Sequence, residues 1–108
     1  MRLAVSTMQL AIDAPASVNR AQQLAESDAP FVVETVFKAP KTNDETLWVG
    51  PYLNSDESAT SIKNDGFPLE PGESIPLGGD MPLSRWSMTG KQGDKLAVLQ
   101  TREWEPSS

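Results

Sequence analysis

Asn64–Leu77 reads NDGFPLEPGESIPL, and its chain breakers decide the fold class. Gly66, Pro68, Pro71 and Gly72 stand among four large apolar residues, Phe67, Leu69, Ile75 and Leu77. A proline inside a helix removes a hydrogen bond and clashes with the turn before it, so no helix is expected in this stretch. Asp65-Gly66 is a favoured tight-turn dipeptide. Phe67 precedes a proline and is therefore extended. Leu69–Gly72 (LEPG) puts Pro71 and Gly72 at the two central positions of a type II turn. Glu73–Leu77 leaves that turn as a strand, expected to return alongside Phe67 and Leu69. The stiff corner holds its apolar side chains where they plug the end of a β-sandwich or cover a neighbour's surface. Fully burying one such side chain stabilises by about 1.5–3 kcal/mol, against about 0–1 kcal/mol for a surface ion pair.

The stretches on either side are also β in character. Phe31–Lys38 (FVVETVFK) is β-branched and aromatic, with Phe31, Val33, Thr35 and Phe37 expected on one face. Thr46–Tyr52 (TLWVGPY) is a second strand, ended or placed at an edge by Gly50-Pro51. Asn54–Ser61 (NSDESATS) reads as a polar loop. After the corner, Gly78-Gly79-Asp80 is a turn, and Met81–Thr89 carries Trp86 and Met88 on one face. Gly90–Asp94 (GKQGD) is a hairpin-like connection. Lys95–Trp104 is the strongest late strand, with Leu96, Val98 and Trp104 on one face by period two. Arg2–Ile12 alternates weakly and reads as a strand or a docking arm. Asp13–Ser27 leaves two readings open: a helix with Val18, Ala21, Leu24 and Ala25 as its stripe, or a short polar strand within Arg20–Ala25. The expected fold is all-β, a small β-sandwich or open β-barrel of short antiparallel strands. Residues 1–30 are expected as an N-terminal arm or extension, and residues 31–108 as the sandwich domain.

Composition limits the chemistry. The 108 residues suffice for one thin-cored domain. The formal charge of −6, from 9 basic and 15 acidic residues, repels phosphate backbones and disfavours nucleic-acid binding. No apolar run approaches the roughly 20 residues that span a bilayer, and the broken apolar run MRLAVSTMQLAIDA argues against a secretory signal. The chain has no cysteine and no histidine. It therefore lacks the commonest acid–base catalyst, the thiolate nucleophile and the usual zinc and copper ligands. No G-x-S-x-G and no phosphate-binding loop is present. Asp56 and Glu57 lack the alternating oxygens of a calcium loop. Asp65, Glu70 and Glu73 crowd the corner, as turn and surface residues rather than a sugar-hydrolysing pair. Trp48, Tyr52, Trp86 and Trp104 would fill a core or a subunit interface, or less simply form a carbohydrate-stacking platform. The expectation is a binding or structural module, not an enzyme, with no cofactor and no metal.

The strand ending in Val49-Gly50, the polar loop, Gly66–Leu77, Arg85-Trp86 and the closing GDKLAVL of Gly93–Leu99 together resemble small virion structural proteins of tailed bacteriophages. The resemblance covers Phe31 to Leu99. Asp65 stands where that family commonly has asparagine, the loop from Pro51 to Lys63 is longer, and the first twenty or so residues are an extension. The resemblance implies a capsid decoration (cement) protein in the virion, assembled in the host cytoplasm. Such a protein binds the major capsid protein on the outer head surface, often as a homotrimer at a symmetry axis. Relatives in head fibres, necks or tails are the alternative, and a carbohydrate-binding module is a further one. The residues expected at the docking interface are Leu3, Val5 and Leu10 of the N-terminal arm, with Trp48, Phe67 and Leu69.

Overall fold

The computed structural model describes residues 2–13, 19–26, 32–52, 58–77 and 82–104. Eight strands form two antiparallel four-stranded sheets, so the fold is an all-β sandwich. The strands are β1 (Arg2–Ala11), β2 (Gln22–Gln23), β3 (Val32–Lys38), β4 (Leu47–Pro51), β5 (Phe67–Leu69), β6 (Ser74–Leu77), β7 (Trp86–Thr89) and β8 (Lys95–Trp104). One sheet has the order β1-β8-β3-β6 and the other β2-β7-β4-β5. Helix α1 (Ala59–Asp65) lies between β4 and β5, and a single 3-10 turn, Leu83–Arg85, precedes β7.

Period-two alternation builds the core. Phe37, Leu96 and Val98 face inward from the first sheet, and Leu47, Val49, Leu69, Trp86 and Met88 face inward from the second. The Phe37 and Trp86 rings meet edge to face at 5.4 Å between centroids, a favoured geometry for aromatic pairs. Ile12 and Leu24 belong to the same core, and β1 pairs with β8 over all ten of its residues. The segment expected as an extension thus supplies strands to both sheets. Of the two readings left open for residues 13–27, the strand is the one observed, as β2.

The expected hairpins are crossovers. The Glu70–Glu73 turn forms as anticipated, with Glu73 N–H donating to the Glu70 carbonyl at 2.9 Å and Gly72 at φ +93°. However, β5 pairs with β4 in one sheet while β6 pairs with β3 in the other, so Ile75 and Leu77 do not return beside Phe67 and Leu69. The Gly90–Asp94 connection likewise passes from β7 in one sheet to β8 in the other. Among the described strands, only the β4–β5 connection joins neighbours of a single sheet. The crossing segments are bonded to one another. The Asn43 side chain donates to the Lys95 carbonyl and accepts from the Lys95 N–H, both at 2.8 Å. The buried Asp94 carboxylate accepts from the backbone N–H groups of Asp44 and Glu45 at 2.9 and 3.1 Å.

Three further expectations need correction. Residues 59–61 of the expected polar loop and Asn64-Asp65 of the corner are helical. Ser58 caps α1 by accepting from the Ser61 N–H, and Ile62 is the only large apolar side chain α1 buries, too little to give a period in the sequence. Gly66 terminates α1 at φ −92° and is not part of a tight hairpin turn. The register between β3 and β8 shifts between Val32 and Glu34, so Val33 leaves the inner face and is 40% exposed. Phe31, the Gly78-Gly79-Asp80 turn and the Trp104 side chain lie outside the described residues.

Candidate functional site

Gly66 fixes the corner. Its N–H donates to the Ile62 carbonyl at 2.8 Å. A Cβ at this position would lie 2.4 Å from the Val49 carbonyl oxygen and 2.5 Å from that of Ile62. Only glycine lets the chain pass so close to both β4 and α1. Ile62 in turn lies against Gly50, where a Cβ would be 3.1 Å from its Cδ1. Helix α1 therefore packs onto the outer face of β4 and sets where β5 starts. Pro68 and Pro71 stiffen the chain on either side of Leu69, and Leu69 pairs with Leu47 and inserts into the core. Phe67 pairs with Val49 at the end of β5 and remains 50% exposed.

The six side chains expected at an interface divide into two groups. Val5 is 64% exposed on the outer face of β1. Leu10 faces inward beside Leu96 and packs against the core. Leu3 pairs with Glu103 in the β1–β8 ribbon, and its side chain lies outside the described residues. Phe67 and Trp48 lie on paired strands of the other sheet but on opposite faces, since Phe67 pairs with the inward Val49 and Trp48 with Pro68. Leu69 is only 4% exposed, so it anchors the corner from within and offers nothing to a partner. Strand order places β1 at one margin of the sandwich, and the short Glu70–Glu73 turn places β5 and β6 together at the other. The expected residues do not form one patch.

On the outer face of β4, sequence reasoning missed a groove. Trp48 points away from the core, between Pro68 of β5 and Thr89 of β7. It lines a depression of about 520 Å³ with Lys63 of α1, the Asp44–Lys91 pair, Thr46 and Glu70. Thr46 Oγ1 donates to Glu70 Oε1 at 2.7 Å, and Lys91 Nζ donates to Asp44 Oδ2 at 2.8 Å. That hydrogen bond, and then the Asp44 charge, raise the Lys91 ammonium above its ordinary value. Trp48 and Tyr52 are both partly exposed, whereas Trp86 is buried against Phe37 and takes no part in a surface platform. Among the described residues, no group of three or more carboxylates is placed to hold a metal ion. Asp56 and Glu57 lie outside them.

Comparison of the chain with protein-family models, with curated proteins and with solved structures returned no match in any of the three.

Proposed function

We propose that this chain is a capsid decoration subunit of a tailed bacteriophage, docking on the major capsid protein at the outer surface of the head through the Phe67 corner. The observation that carries the proposal is a large aromatic side chain held half exposed by a rigid anchor. Pro68 restricts the backbone of Phe67, Gly66 admits no other residue, and Leu69 fastens the corner into the core. Little conformational freedom remains to be lost on binding, so burying the exposed part of Phe67 converts efficiently into affinity. One such contact is weak, worth about 1 kcal/mol. A subunit of this kind works in many copies, each contributing a small increment to the lattice. The sequence resemblance supplies the identity of the partner, and the corner supplies the contact. Co-sedimentation of the purified chain with phage heads assembled without it tests the proposal. Binding that is lost in Phe67→Ala supports it, and no binding by the wild type removes it. Binding to tails or necks instead would move the subunit elsewhere in the virion.

The Trp48 groove favours a second reading, a saccharide-binding module. A half-buried indole flanked by carboxylates, ammonium groups and a hydroxyl offers both a stacking face and hydrogen-bond partners to a sugar. A glycan array read with wild type and Trp48→Ala separates this reading from the first.

A further inference from the structure

Each edge strand but one is short. Strand β2 has two residues, β5 has three with Pro68 at its centre, and β6 has four with Pro76 inside it. Such edges resist pairing with another chain, because few backbone groups are available and proline lacks an N–H. Strand β1 is the exception. It runs for ten residues (RLAVSTMQLA), pairs with β8 without a register shift, and contains no proline and no carboxylate. The Gln22 side chain closes one end of its outer edge by donating to the Ala11 carbonyl; from Leu3 to Gln9 no hydrogen bond from another described residue covers that edge, which leaves a row of N–H and C=O groups open to pairing.

We propose that β1 is the edge through which two copies of this chain pair, antiparallel and two-fold, joining their β1-β8-β3-β6 sheets into one eight-stranded sheet. Three observations favour a second copy as the occupant. Of the five exposed large apolar side chains among the described residues, Val5 and Met8 lie on β1, on opposite faces, and Leu99 lies next to it, paired with Thr7. A strand laid along β1 shields side chains on both faces at once. The charge distribution also suits self-association. The strands of this sheet carry four basic residues, Arg2, Lys38, Lys95 and Arg102, against two acidic ones, Glu34 and Glu103, whereas the chain as a whole is at −6. Two acidic copies therefore approach with least repulsion along this sheet. The third observation concerns symmetry. The trimer implied by the resemblance would need unlike edges to meet head to tail, and in this sheet the other edge is β6 with its proline. Like edges meeting give a closed pair, with about eight new backbone hydrogen bonds if the strands overlap from Leu3 to Gln9.

The pairing does not depend on where the protein works. It is tested by sedimentation equilibrium of the full chain from about 10 μM to about 1 mM, a range that captures weak association. The mass is expected to rise from 11.7 kDa toward twice that value, and the double variant Val5→Lys/Thr7→Lys is expected to stay at the single-chain mass. Hydrogen exchange on the wild type needs no variant, and alternate β1 amides are expected to gain protection as concentration rises. A wild type that stays monomeric throughout, a trimer, or an oligomer unaffected by the lysines overturns the proposal. So does a concentration-independent exchange pattern in β1. A single copy that still binds heads would overturn the pairing and leave the functional proposal standing. A β1-paired dimer that ignores heads would do the reverse.

Discussion

The Cα of Gly66 lies so close beneath Val49 that a Cβ on it would come within 2.4 Å of the Val49 carbonyl oxygen. The obstacle is backbone on both sides, since the Ile62 carbonyl is equally near, and neither can move without breaking β4 or α1. Gly66→Ala is therefore expected to cost about 3 kcal/mol, the upper range for overpacking, measured by urea unfolding. A loss below about 0.5 kcal/mol, the ordinary surface value, would show that the corner is not wedged in place.

Phe67 and Leu69 sit two residues apart and are expected to behave oppositely. Leu69→Ala empties a core site and should destabilise the fold by about 2–5 kcal/mol. Phe67→Ala removes a half-exposed ring and should cost no more than about 1 kcal/mol of stability, while abolishing retention on phage heads. Normal head occupancy by Phe67→Ala would remove the corner as the docking contact.

Asp94 is buried, and its two carboxylate oxygens satisfy the N–H groups of Asp44 and Glu45. Asp94→Ala leaves both donors without that partner and should cost about 2–3 kcal/mol. Asp94→Asn keeps one acceptor oxygen and should lose less. Equal thermal midpoints for the two variants would contradict this account.

Lys91 titrates above its ordinary value of 10.5 because Asp44 holds its charged form. A group with a raised folded pKa stabilises fully below its unfolded value, and that contribution disappears as pH climbs through the folded one. Comparing wild type with Lys91→Met, a small stability difference should hold at neutral pH and vanish well above 10.5. Both side chains are about half exposed or more, so the difference should also shrink in high salt. A difference that grows with alkalinity would refute the pairing.

Trp48 faces away from the core, so Trp48→Ala should fold with near-native stability. If the groove takes a saccharide, that variant loses glycan binding and the wild type has it. Silence of the wild type on the array removes the second functional reading.

The β class, the sandwich and most strand positions were legible because alternation and β-branching act locally: β3, β4 and β8 lie within a residue or so of where Phe37, Val49 and Val98 put them. The Glu70–Glu73 turn was legible for the same reason, since Pro71-Gly72 dictates its backbone wherever it leads. The path of the chain beyond that turn was not legible. Whether β6 folds back on β5 or crosses to β3 depends on the pairing of residues some forty positions apart, such as Phe37 with Ile75. Helix α1 was hidden because seven residues with one large buried apolar side chain carry no period. The groove was hidden because Asp44, Trp48, Lys63, Glu70 and Lys91 come from separate connections and strands. At the corner, local pattern gave Phe67 and Leu69 the same role. Position along β5 separates them, because Leu69 faces Leu47 in the core and Phe67 is where the strand begins.

The β1–β8 ribbon has a mechanical consequence. Arg2 lies opposite Trp104 in an antiparallel pair. Tension applied at those two positions loads the ribbon's hydrogen bonds one rung at a time, as in opening a zipper, instead of shearing all ten rungs together. The sandwich would yield to such a pull at low force, whereas a load applied along β1 and β8 from opposite ends of the ribbon would shear all its rungs at once and meet a much stiffer molecule.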